Sequence, residues 1–230
     1  MSRQGTGPGM IVMVPDDPSD QLTQINNIPS PSLKWAEEGY NVIEIQESAI
    51  DRGYVLNQAM KTFEQQDRCT TGAVGLVVYG SQLWRKAKCL AGFNRITAAA
   101  VYAEAADVVQ LGSNHIPTVQ HFAGRAGVQL QRKVYAMQYE YPEMNSSSFA
   151  LPASSAFNYA EEGVSHTRNL AFLKRHMNGP YFDLEAIWEE HTYYEFEDRS
   201  VEQTMNTMVQ EPYVNHIPTD PWSPTDWSQA

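Results

Sequence analysis

The run Gly72-Ala-Val-Gly-Leu-Val-Val-Tyr-Gly-Ser81, followed by Gln82-Leu-Trp84 and then Lys, Arg, Ala and Leu, constrains the fold more than any other stretch of the chain. A short Val-rich run bounded by glycines has no polar face to offer solvent, so it reads as a strand buried on both sides. The change to helix-forming residues right after it predicts a tight strand-to-helix turn at Tyr79-Gly80-Ser81.

Strand patterns also occur at residues 11–14, 41–45, 96–103, 116–122 and 133–141, the last alternating polar and apolar positions. Helical patterns lie between them. Residues 32–39 start at Ser32 as N-cap and stop at Gly39, and residues 48–66 place Ile50, Tyr54, Val55, Met60 and Phe63 on a loose face. Further helices are expected at 85–90 and 162–176. Strands and helices alternating at short intervals predict an α/β fold: a mostly parallel sheet with helices on both faces. We expect residues 1–9 to be a flexible N-terminus and 10–178 to be the α/β domain, with a helical extension over 179–217 and an irregular tail over 218–230. In the extension, Asp183 is a candidate N-cap for Leu184, Ile187, Trp188, His191 and Tyr194, and Ser200-Val-Glu-Gln203 is a capping-box pattern ahead of Met205, Met208 and Val209. Pro212 ends that helix. The apolar surface of these helices predicts that they fold back on the domain or build a homodimer.

A formal net charge of -11 argues against nucleic acid as a partner, since neutralising phosphates needs clustered Lys and Arg. The cysteines, Cys69 and Cys89, form no CxxC pair or disulfide framework, which favours a reducing compartment. Residues 10–15 are too short for a signal segment or a membrane span. A cytoplasmic protein acting on a small molecule, with no membrane partner, is the expectation.

The carboxylates after the first strand, Trp35-Ala-Glu-Glu-Gly-Tyr40, the central strand and Thr118-Val-Gln-His-Phe-Ala-Gly124 together resemble the dienelactone hydrolase family of α/β hydrolases, over roughly residues 10–178. The stretch from His166-Thr-Arg-Asn through Glu211-Pro-Tyr-Val-Asn-His-Ile-Pro218 resembles fungal members in which that domain runs into a SnoaL-like domain, whose strands this chain does not continue into. The resemblance implies a nucleophile, an acid and a histidine. Its nucleophile position falls on Gly80, its acid position on Gly124 and Arg125, and its histidine position on Ser148, before Phe149. Acyl transfer needs an activated nucleophile beside a base, so ester hydrolysis by that route is not expected; Ser81 is the alternative nucleophile if another base reaches it.

Other groups at the strand ends carry chemistry. Asp16 and Asp17 follow the first strand, where the family has a glutamate, and fit equally a solvated turn held by Asx hydrogen bonds. Tyr79 and His121 are candidate proton donors or acceptors and also fit a packed core. Glu104, after an Ala-rich strand, needs a partner or a raised pKa. Ser81, Gln82, Trp84, Tyr102 and Glu143 are the expected substrate contacts. No HxH or HExxH spacing points to a metal, and no cofactor is expected. His191 and Glu195, four residues apart, read as a helix face. The resemblance implies a fungal enzyme of secondary metabolism, opening an epoxide on a polyketide by general acid/base chemistry. A binding or scaffold protein without turnover, and an ester or lactone hydrolase using Ser81, are the alternatives.

Overall fold

The structure, a computed structural model, describes residues 6–16, 25, 27–111, 115–179 and 184–207. The chain divides into two compact units, Met1–Pro180 and Tyr181–Ala230.

In the first unit, β1 (Gly7–Val14), β2 (Asn41–Gln46), β3 (Cys69–Tyr79), β4 (Ala98–Glu104), β5 (Thr118–Ala123), β6 (Arg132–Lys133) and β7 (Ala136–Tyr141) form a seven-stranded sheet in the order β2-β1-β3-β4-β5-β7-β6. Every pairing is parallel except β6 with β7. The chain winds from β1 outward to β2 and then back across to β3 and β4, so the order reverses between β1 and β3. Ligands of open parallel sheets bind at the carboxyl edge beside such a reversal.

Helices cover both faces. On one side lie α1 (Pro31–Glu37) and the later α6; on the other are α2 (Glu47–Asp51), α3 (Leu56–Glu64), α4 (Ser81–Cys89) and α5 (Val108–Leu111). The helix α6 (Tyr159–Met177) has all the local signals of its length. The Asn158 side chain accepts from Glu161 N–H, Glu161 and Glu162 sit at the positive end of the dipole, and Lys174, Arg175 and His176 at the negative end. Asn178, at φ 56°, ends it in the left-handed region. Alternate residues of each strand feed two cores: Ile11, Met13, Leu76 and Val78 pack with Leu56, Met60 and Trp84, while Met10, Val12 and Val77 pack with Trp35, Leu173 and Met177.

Four local expectations are corrected. First, β1 starts at Gly7, inside the segment expected to be flexible, because the chain is glycine where its backbone is hemmed in. A Cβ on Gly7 would sit 1.9 Å from the Gly39 carbonyl oxygen, and one on Gly9 would sit 2.8 Å from the Phe63 ring. Second, the cap of α1 is Ser30, whose Oγ accepts from Leu33 N–H, with Pro31 as the first helical residue. Ser32 is instead buried and donates to the Glu44 carboxylate. Third, the helix expected over 48–66 is two helices, separated where Gly53 takes φ 94°. Fourth, the alternating stretch 133–141 is a hairpin, with Arg132 paired to Met137 and Lys133 to Ala136.

The second unit contains α7 (Leu184–Thr192), a π-helical turn over Tyr193–Glu197 and α8 (Val201–Asn206). Ser200 caps α8 by accepting from Gln203 N–H, as the sequence pattern predicts. His191 Nδ1 lies 2.6 Å from Thr207 Oγ1, which ties α7 to the end of α8. Asp183, Met208, Val209, Pro212 and the tail 218–230 lie outside the described residues. Among the described residues, no helix is long and apolar enough to cross a membrane.

Candidate functional site

The turn after β3 is built around Gly80. It adopts φ 119° and ψ 136°, a region side chains rarely enter, and it opens α4 by accepting from Trp84 N–H at 3.0 Å while donating to the Tyr102 carbonyl at 2.9 Å. A Cβ placed on Gly80 would meet nothing within 4 Å, so conformation rather than crowding selects glycine there. Ser81 is half-buried at the first position of α4 and Gln82 is exposed. Trp84 turns away into the core, fully buried and edge-on to Phe93 at 5.5 Å, with its indole N–H unpartnered.

On the opposite face, register brings Tyr79, Tyr102, His121 and Tyr139 side by side across β3, β4, β5 and β7. Their rings stack: Tyr79 on Tyr102 at 4.7 Å, Tyr102 on His121 at 4.8 Å, and His121 toward Tyr139 at 5.7 Å. Such cross-strand aromatic neighbours stabilise the sheet and fix its register. Burial pushes the Tyr79 and Tyr102 phenols up, and the same burial lowers His121 to about 3, so its imidazole is neutral.

A neutral His121 makes the surrounding hydrogen bonds directional. Asn169 Oδ1 only accepts, so His121 Nε2 donates to it at 2.7 Å; His121 Nδ1 then accepts from the Tyr141 hydroxyl at 2.7 Å. Arg168 Nη1 donates to Tyr141 oxygen at 3.1 Å. Asn169 Nδ2 donates to the Tyr102 hydroxyl at 2.8 Å, Tyr102 donates to Ser165 Oγ at 2.9 Å, and Ser165 donates to the Glu162 carbonyl at 2.8 Å. One continuous chain therefore runs from the Arg168 guanidinium through His121 to the first turns of α6, every member donating to the next. A buried network satisfied in this way rigidifies and specifies a core.

The carboxylates stand apart from this chain. Asp16 Oδ1 accepts from Ser48 N–H at 2.9 Å, and that bond, with a second from the Ser48 side chain, holds its carboxyl below the usual aspartate range. Glu104 Oε1 accepts from Ser147 N–H at 2.7 Å and so anchors the loop that carries Ser148. Glu143 is exposed, and Asp17 lies outside the described residues. Asp16 and Ser148 line a cleft of about 180 Å3 at the carboxyl edge, together with Pro15, Ile25, Pro31 and Leu151 and with Ser30 and Ser154. It adjoins the end of β1, where the strand order reverses. Among the described residues no cluster of His, Cys, Asp and Glu is disposed to hold a metal ion.

Of the residues singled out in the sequence, the structure brings Tyr79, Tyr102 and His121 into one stack and leaves Asp16, Glu104 and Glu143 separate from it. Tyr141, Asn169, Ser165 and Arg168 were not foreseen. For Ser165 and Asn169 a signal was present: with Glu162 and His166 they occupy the spacing that an inward helix face reserves for apolar residues. No protein-family model, curated protein or solved structure matches the chain.

Proposed function

We propose that the first unit is a dienelactone hydrolase-like domain that has lost nucleophilic catalysis and opens an epoxide on a small oxygenated molecule, such as a polyketide of fungal secondary metabolism, in the cytoplasm. The observation that carries the reading is the cleft: an exposed, hydrogen-bonded Asp16 that shares a wall of Pro15, Ile25, Pro31 and Leu151 with Ser30, Ser148 and Ser154, beside the strand-order reversal. Asp16 takes a proton from the attacking water or substrate hydroxyl as the carbon–oxygen bond forms. Ser148 and Ser154 offer hydroxyl donors to the departing epoxide oxygen. Gly80, Gly124 with Arg125, and Ser148 at the family's three catalytic positions support a route without a covalent intermediate. Ser81 gains no base from His121, whose nitrogens are engaged by Tyr141 and Asn169.

The test is incorporation of labelled water oxygen into a panel of alkyl, aryl and polyene epoxides, followed by mass spectrometry. Wild type is expected to turn over at least one, and Asp16→Asn to lose about 100-fold or more of that rate, the usual contribution of a general base. An active Asp16→Asn variant overturns the assignment of Asp16, and an inert wild type overturns the reaction.

A binding or scaffold role without turnover is the second reading. It is favoured by the use of Glu104, Tyr102 and His121 in internal hydrogen bonds. In that case the helices of the second unit supply a homodimer contact, since Trp188 and Phe196 are 66% and 65% exposed. Light scattering on the full chain distinguishes a dimer, which Trp188→Lys with Phe196→Lys dissociates, from a monomer, which sinks the contact.

A further inference from the structure

We infer that the groove between α6 and the β6–β7 hairpin binds a small amphipathic anion: an organic carboxylate or sulfate on a ring or short hydrocarbon body. The groove encloses about 290 Å3 and shares no residue with the Asp16 cleft. That volume is near the lower bound for small-molecule sites.

Its composition is unusual for this chain. The protein carries a net charge of -11, yet Arg168 and Arg175 line the groove and Arg132 stands over its aromatic wall. Among the described residues, none of the three is ion-paired to a carboxylate. Positive charge is costly to gather without a counter-ion, and here an anion from solution supplies it. The guanidinium carbons of Arg132 and Arg168 lie 4.1 Å and 4.2 Å from the Tyr139 ring centre. Stacking and the bond to Tyr141 hold Arg168 in place while leaving other donors of its planar fork for a ligand.

The apolar part of the ligand also has its place. Arg168, Phe172 and Arg175 follow one stripe of α6, opposite Val134, Met137 and Tyr139. A step of seven positions along the helix separates the two arginines by about 10 Å, a span that fits one anionic head and a ring-sized body rather than a long polymer. The walls are fixed in advance: His176 Nε2 donates to the Val134 carbonyl at 2.9 Å, and its ring packs against Phe172 at 4.5 Å and Tyr135 at 5.6 Å. A preformed groove keeps the ordering cost of binding low.

The experiment uses the full chain with 1-anilinonaphthalene-8-sulfonate as a fluorescent probe and octanoate, octyl sulfate and 1-octanol as competitors. Octanoate and octyl sulfate distinguish a carboxylate from a sulfate head; octanol has the chain without the charge. We expect saturable probe binding, displacement by at least one anion and none by octanol, and an affinity about tenfold or more weaker in Arg175→Glu, with Arg175→Gln intermediate. Arg175 is exposed, so unchanged circular dichroism should accompany the loss. Probe binding that survives Arg175→Glu undiminished, displacement by octanol as good as by octanoate, or no saturable binding in wild type overturns the proposal.

Discussion

Replacing Asn169 by Leu tests whether the buried chain through His121 works as a unit. Two bonds are removed: the one His121 Nε2 donates at 2.7 Å and the one Tyr102 oxygen receives at 2.8 Å. Tyr102 still donates to Ser165, so its loss is about 1 kcal/mol. His121 is fully buried and left with a stranded N–H, which costs about 1–3 kcal/mol more. The variant should therefore lose about 2–4 kcal/mol, read from urea unfolding followed by circular dichroism. His121→Leu alone strands Asn169 and Tyr141 in turn. In the double variant the His121–Asn169 orphans vanish together, so its loss should fall short of the sum of the singles by about 1–2 kcal/mol. Strict additivity, or a loss below about 0.5 kcal/mol for Asn169→Leu, would refute the account of a mutually dependent network.

The same histidine gives stability a pH dependence. Its folded pKa of about 3 lies below the ordinary 6.5, so the unfolded chain binds the extra proton between those values, and stability is complete above the unfolded pKa and lost as pH falls towards the folded one. Wild type should lose up to about 1.4 kcal/mol per pH unit more than His121→Leu in that window, and parallel stability–pH curves for the two proteins would contradict it. Gly80→Ala should destabilise by about 1–3 kcal/mol through backbone strain alone, since no atom stands within 4 Å of the new Cβ. A calorimetric melt unchanged from wild type would show that the turn relaxes instead.

The α/β class was legible because strands buried on both faces must be apolar along their length, and β1, β4 and residues 75–79 of β3 are written that way. Boundaries were less legible where two residues compete for one role. Ser30 and Ser32 are equally good caps in isolation; Pro31, preset for the first helical position, settles the choice. The hairpin at β6 and β7 hid inside a continuous alternation because both arms obey the same period of two. At the candidate site, Gly80 and Asp16 were readable from their places after strands. Asn169 was readable only as a polar residue on an inward helix face; its role was not, since that depends on His121, forty-eight residues earlier in the chain.

The sequence by itself determined where apolar runs must be buried and where the chain must bend on glycine, because these depend on side-chain volume and backbone freedom. Tertiary structure alone decided that Tyr79, Tyr102, His121 and Tyr139 lie in one row, that α6 answers the polar atoms of Tyr102 and His121, and that Asp16 faces a cleft while His121 does not. Those outcomes depend on strand register and on which helix covers which face, and both arise from contacts between residues far apart in the chain.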